Sequence, residues 1–200
     1  MSSPSLTPPG DLTARARIRN EAFSLYAIQG EERVSMRAVA AAAGVTIGLV
    51  QHHFGTKEGL RRSVDEYVVE HFVEALAGVE HTGTAAEVVA ARDGAVRTML
   101  QENPLVVRYL LRMLLEPETR GAFVLGQLVD LTVQEIRRLR EAGFASTTTP
   151  EPVQVVRTIL GQIGEHALEP MVGAVWKRVG GSDADRPRTE ITVVSPDAEG

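Results

Sequence analysis

The side chains best placed to do chemistry together lie between Ser35 and Leu60, in the run Ser-Met-Arg-Ala-Val-Ala-Ala-Ala-Ala-Gly-Val-Thr-Ile-Gly-Leu-Val-Gln-His-His-Phe-Gly-Thr-Lys-Glu-Gly-Leu. The Gln51 carboxamide can bond adenine N6 and N7 together, and Ile47 offers a surface for a thymine methyl. Gly48 lets a backbone come close to whatever it faces. Ser35 and Thr46 stand where helices start, and there free N–H groups and the helix dipole favour a phosphate oxygen. Lys57 adds a point charge at the next helix start. Ser35, Thr46, His53 and Lys57 are therefore the expected phosphate contacts. Catalytic chemistry is not indicated, because no nucleophile–base pair, phosphate loop or metal-spaced cluster stands out. His52 and His53 are neighbours, so on a helix they point about 100° apart and do not chelate one ion. The expectation is no cofactor, no metal and no enzyme.

Three elements must hold these groups. Met36, Val39 and Ala40 recur at i, i+3, i+4, the period of a helix with one buried face. Gly44 follows where a helix ends in a left-handed residue, and Val45 plugs the turn. Thr46 caps a second helix whose inner side is Leu49, Val50, His53 and Phe54. This is a helix-turn-helix, a motif whose second helix lies in the DNA major groove. The outer face of that helix includes Ile47, Gly48, Gln51 and His52. Arg37 is read as a solvated or phosphate-facing charge.

The segments Ala43-Gly-Val-Thr-Ile-Gly48 and His52-His-Phe-Gly-Thr-Lys-Glu-Gly-Leu60 resemble the signature of the TetR family of bacterial repressors. The resemblance covers roughly residues 12–68. It implies an all-α homodimer, with an N-terminal three-helix DNA-binding domain and a larger C-terminal domain for ligand sensing and dimerisation. Carried over position by position, it puts base contacts at Ile47, Gly48, Gln51 and His52. Two positions depart from the family pattern. Gln51 stands where a Tyr is common and Ile47 where a polar residue is, which bears on the half-site sequence.

Composition fits this reading. Among 200 residues, 44% are hydrophobic but only 4% aromatic, so Leu, Val and Ala must fill the core, and cysteine is absent. A cysteine-free chain has no disulfide framework, in keeping with a cytoplasmic location. The first ten residues lack the basic and apolar regions of a signal peptide. No run of about 18 apolar residues exists, so no membrane span is expected. The net charge of −5 is unevenly spread: residues 1–62 hold eight Lys/Arg against five Asp/Glu, a balance of +3, and the rest carries −8. A basic head on an acidic body concentrates phosphate attraction at the motif.

The expected order is a disordered segment 1–10, a DNA-binding domain 11–60, an effector-binding and dimerisation domain 61–179, and a disordered tail 180–200. A first helix, capped by Asp11 or Thr13, runs to Gln29 with Ile18, Ala22, Leu25 and Tyr26 inward. A long helix from Lys57 to about Val79 joins head to body, with Leu60, Val64, Tyr67, Val68, Phe72 and Leu76 inward. Four body helices follow, over 84–101, 104–115, 118–142 and 152–179. Asn103 is read as a cap with Pro104 at N1, and Glu116-Pro117 as an interruption.

Pocket residues are sought among Met, aromatic and amide side chains of the body. The candidates are Met99, Tyr109, Met113, Phe123, Gln127, Gln162, His166 and Trp176; the plainer reading of each is core. Arg108 and Arg112 share a face, suited to an acidic effector or to a partner such as Glu116. The last helix is apolar on more than one side, which points to burial on more than one side. Gly126, Val129 and Val133, with Val156, Leu160, Gly161, Gly164 and Leu168, are the expected dimer interface. The function that follows is a ligand-responsive regulator, a repressor released from a palindromic double-stranded DNA operator by a small molecule. The alternatives are an architectural DNA-binding protein without effector, and an enzyme with a helical body.

Overall fold

The computed structural model describes residues 14–115, 121–187 and 189–193. Among these residues the regular structure is helical: α1 (Ala14–Gln29), α2 (Met36–Ala42), α3 (Ile47–Phe54), α4 (Lys57–Ala77), α5 (Ala85–Glu102), α6 (Pro104–Leu114), α7 (Ala122–Glu141) and α8 (Glu151–Arg178), with 3-10 turns at Glu31–Arg33 and Asp183–Asp185. The expected caps Asp11 and Thr13 and the interruption at Glu116-Pro117 lie outside the described residues.

The head is built by α1, α2, α3 and the start of α4 around Ile18, Ala22, Val34, Val39, Val50, Leu60 and Val64, all buried. Burying a side chain of this size stabilises by about 1.5–3 kcal/mol. The expected face of α1 is found, with Phe23 and Ala27 added and Leu25 only half-buried. The core does not stop at the head. It continues through Val68, Phe72, Val96, Leu100, Tyr109, Leu110, Val124 and Leu128. Two elements carry it across. One is α4, whose 21 residues span about 31 Å at 1.5 Å per residue. The other is α6, which packs along α1.

Local chemistry explains several helix ends. Thr84 and Glu87 form a reciprocal capping box at the start of α5, which satisfies two otherwise free N–H groups. Gly143 ends α7 at φ +78°, with Arg138 and Arg140 in the last turn, as the basic run and glycine predicted. Asn103 holds the N-cap position of α6, but its side chain makes no capping bond there. Its Nδ2 donates to Met99 O at 2.8 Å, so it closes α5, and Pro104 alone starts the next helix without needing an N–H partner.

The tail was expected to be disordered. Residues 181–187 and 189–193 instead lie along α8: Trp176 Nε1 donates to Ser182 O at 2.8 Å, Arg186 pairs with Glu169 at 2.6 Å, and Ile191 sits on Gly164. Among the described residues no helix is long and apolar enough to cross a membrane.

Candidate nucleic-acid interface

The turn between α2 and α3 is fixed by glycine and by backbone bonding. Gly44 sits at φ +64°, and Val45 N donates back to Ala40 O at 2.9 Å. Three successive helix starts are capped by hydroxyls. Ser35 Oγ accepts from Ala38 N at 3.1 Å, Thr46 Oγ1 from Leu49 N at 3.3 Å, and Thr56 Oγ1 from Gly59 N at 3.0 Å. Thr56 escaped the sequence reading, although it has the same cap-before-helix spacing as the other two. Gly59 escaped as well: a Cβ there would overlap the carbonyl oxygen of Phe54, so glycine lets α4 start directly against the end of α3.

The two sides of α3 differ sharply. Val50 and Phe54 are buried, whereas Gly48, Gln51 and His52 are exposed. A Cβ at Gly48 would meet nothing nearer than Thr46 Oγ1 at 3.9 Å, so the fold itself does not require glycine there. Gly48, Gln51 and His52 thus share one open face, as expected. Ile47 does so only in part. It is half-buried against the core of the head, because an apolar side chain gains by covering the domain's own apolar surface.

Ser35 and Thr46 stand exposed at their helix starts. His53 is half-buried, its ring edge-on to His52 at 5.4 Å and to Phe54 at 6.2 Å between centroids. Lys57 is not an unengaged point charge. Its Nζ donates to Glu31 O at 2.7 Å and lies 3.8 Å from Glu31 Oε1, tying the start of α4 to the first 3-10 turn. Arg37 is exposed on α2. Arg15, counted in the basic head but given no individual role from sequence, places its guanidinium 5.4 Å from the centre of the Phe54 ring, a cation–π arrangement.

A polar relay lies behind this surface. Arg61 donates to Glu58 at 3.0 Å through Nε and at 2.5 Å through a terminal nitrogen, and to Asp65 Oδ2 at 2.7 Å. Tyr109 of α6 donates to Asp65 Oδ1 at 2.5 Å. Asp65 is fully buried. Burial outweighs its two donors and pushes its carboxyl up to about 6, because desolvation disfavours the charged form. The Arg61 hydrogen bond holds the Glu58 carboxyl below its ordinary value. Burial raises the phenols of Tyr26 and Tyr109.

Comparison with known proteins places this surface. Residues 18–64 match the profile of bacterial regulatory proteins, tetR family. The chain is 53% identical over 60 residues to the HTH-type transcriptional regulatory protein RaaS of Mycobacterium tuberculosis, a match that spans 30% of this chain and 28% of that relative. The fold extends the likeness beyond the head. A TetR transcriptional regulator from Chloroflexus aurantiacus superposes with TM-score 0.67 at 22% identity, covering 80% of this chain and 85% of that one.

Residues 18–64 thus carry the DNA-binding segment of the tetR family. A transcriptional regulator from a Rhodococcus species shares the fold at TM-score 0.63 and 25% identity, covering 82% and 87% of the two chains. Each of these proteins is described as a transcriptional regulator.

In the body a cavity of about 270 Å³ opens between α4, α5, α7 and α8. Its apolar wall includes Phe72, Leu76, Val96, Leu128, Leu131, Ile159 and Ile163, with Asp93, Thr132, Glu135, Thr158 and Gln162 as polar groups. Asp93 accepts from Gln162 Nε2 at 3.1 Å. Arg92 is ion-paired to Glu135 and lies 2.9 Å from His81 Nε2. Of the eight candidates read from sequence, only Gln162 lines this cavity. Met99, Tyr109 and Met113 are buried core instead. Phe123 lies under the Arg62 guanidinium, and Gln127 is exposed. His166 bonds the Gln162 carbonyl within α8, and Trp176 holds the C-terminal segment. Arg112 bonds carbonyls at the end of α1.

Along α8 an apolar stripe faces outward: Val156, Leu160, Leu168, Met171, Val175 and Val179, with Leu160 49% and Val179 69% exposed. Gly126 of α7 is exposed, and Val129 and Val133 are half-buried. Gly161 faces open space, but Gly164 is covered by Ile191 of the same chain.

Proposed function

We propose that the protein is a cytoplasmic, homodimeric DNA-binding regulator that represses from a palindromic operator and is released by a small molecule bound in the body cavity. The observation that carries this reading is the open face of α3. Gly48, Gln51 and His52 stand out together on the side of α3 opposite the buried Val50 and Phe54, flanked by the capped starts of α2 and α3. Gln51 reads adenine through two bonds, and the caps leave N–H groups and dipoles for phosphate. The sparse cover of Leu160, Met171 and Val175 on α8 supports a second copy there, since contiguous exposed apolar surface marks interaction sites.

Two recognition helices must enter successive major grooves on one side of the duplex, about 34–36 Å apart or a multiple. Phe72 and Leu76 of α4 line the cavity while Leu60 and Val64 of the same helix pack in the head. An effector wedged against Phe72 therefore pivots α4 and changes the separation of the heads. Coupling of about 1–3 kcal/mol between sites is typical. Selection of bound duplexes from a random-sequence library tests the reading. Recovery of an inverted repeat with half-sites one or two turns apart supports it. Recovery of no preferred sequence, with binding that salt abolishes, contradicts it and favours an architectural role.

A further inference from the structure

We propose that α6 orients the recognition unit through two polar grips, Arg112 on the end of α1 and Tyr109 on Asp65 of α4, and that Asp65 is a positioning residue for DNA binding. The proposal rests on the DNA-binding reading above. Tyr109 and Arg112 are three residues apart and so lie on one side of α6. Arg112 donates through Nε to Ala27 O at 3.2 Å and through a terminal nitrogen to Ile28 O at 3.0 Å. These are carbonyls of the last turn of α1, which have no partner within that helix. Gly30, at φ +86°, leaves the guanidinium room: a Cβ there would lie 3.3 Å from it.

The second grip reaches further. Tyr109 holds one oxygen of Asp65, Arg61 holds the other, and Arg61 clasps both oxygens of Glu58. Glu58 lies in the first turn of α4, two residues after the Thr56 cap. That cap follows Gly55, whose N–H closes the end of α3 on Gln51 O at 2.8 Å. Hydrogen bonds thus run from α6 to Glu58, and from there the short main chain back through Thr56 and Gly55 leads to the end of the recognition helix. Packing alone does not call for it, because a buried ion pair is often no more stabilising than apolar residues of the same volume. What such a relay supplies is a fixed angle.

The charged and titratable groups around Asp65 are Tyr26 from α1, Glu31 from the 3-10 turn, Tyr109 from α6, and Arg61 and Glu58 from α4 itself. A proton on Asp65 removes the negative charge that Arg61 pairs with and leaves Glu58 as the only carboxylate among Arg61's hydrogen-bond partners named above. Mild acid therefore loosens the start of α4. Protonation of His52 and His53 adds positive charge to the DNA face and acts the other way, so the effect is read as a difference between wild type and Asp65→Asn.

The test measures Kd by fluorescence anisotropy for the selected inverted repeat and for a random-sequence duplex. The proteins are wild type, Asp65→Asn, Tyr109→Phe, their double variant and Arg112→Met, at pH 7.5 and 5.5, each with a thermal melt. Tyr109→Phe and Asp65→Asn are expected to weaken the inverted repeat by about 5- to 100-fold and random duplex little, because misplaced heads lose paired binding and keep single-head contact. The double variant is expected to lose no more than the worse single, the mark of one coupled pair. Wild type is expected to lose affinity relative to Asp65→Asn on going to pH 5.5. Arg112→Met leaves the buried relay intact, so its loss of specific affinity at a near-unchanged melting temperature supports the first grip. Unchanged Kd for Tyr109→Phe and Arg112→Met, or equal losses on both duplexes that follow the melting temperature, overturns the proposal. Wild type that binds neither duplex overturns the DNA-binding reading itself, and this proposal with it.

Discussion

Gly48→Ala separates what the fold needs from what DNA needs. Gly48 is the second residue of α3, and an added methyl would find only Thr46 Oγ1, at 3.9 Å. That is ordinary van der Waals contact. Replacing glycine by alanine at a helical position without strain stabilises by about 0.4–1 kcal/mol. For a chain of this size the melting temperature should rise by about 2–4 °C per kcal/mol. The same methyl projects from the exposed face that carries Gln51 and His52. If α3 approaches base edges through its backbone here, the helix must lift, and a bidentate bond such as that of Gln51 is worth about 1–3 kcal/mol of discrimination. Specific Kd should then weaken by about ten- to a hundredfold, at roughly 1.4 kcal/mol per decade. Thermal melts and anisotropy titrations on one preparation read both effects. A variant that melts higher and binds its operator as tightly as wild type refutes the close approach. A variant that melts lower refutes the claim that the site is open.

Gly59→Ala should behave in the opposite way. The new Cβ overlaps the Phe54 carbonyl, so a loss of more than about 2 kcal/mol is expected from forced backbone movement, and urea unfolding with an unchanged midpoint would contradict it. Leu160→Glu places a charge on the exposed stripe of α8, where Leu160 is 49% exposed. Sedimentation should show a monomer with an intact fold, and an unaffected dimer would place the interface elsewhere. Asp65 sets a pH dependence of stability. Its folded pKa, raised by burial to about 6, lies above the unfolded value near 3.9, so its contribution is fully present below about pH 4 and is lost as pH rises through about 6. Wild type should therefore gain stability relative to Asp65→Asn between pH 7.5 and 5, and a difference that stays flat over that range would count against the raised pKa.

The head was legible because its signals are local. Gly44, Thr46 and the spacing of Val39, Ala40, Val50 and Phe54 act within a few residues, and turn, cap and buried face all lie where they predict. Helix bounds in the body were legible for the same reason: a helix read as 152–179 is Glu151–Arg178. The pocket was not legible, because it depends on how helices are rotated against one another. Tyr109 and Met113 have the residue types of a ligand wall, but α6 turns them onto the core shared with α1 and α4. The actual wall is made mainly of Leu, Ile and Val side chains of α4, α5, α7 and α8, with Phe72, which sequence does not distinguish from plain core. Pairings across long separations were equally hidden. Glu31 meets Lys57, and Glu135 meets Arg92, across 26 and 43 residues. Ile47 sits between the two cases, since its period admits either face and only the packed head turns it half inward.

If the Gln51 face of α3 reads sequence, removing that side chain must cost sequence preference. Fluorescence anisotropy with the selected inverted repeat and a shuffled duplex, for wild type and Gln51→Ala at two salt concentrations, measures this. Wild type is expected to prefer the inverted repeat at both salt concentrations, and Gln51→Ala to lose most of that preference while still binding shuffled DNA. Equal affinity of wild type for both duplexes, or a preference that survives Gln51→Ala unchanged, would contradict it.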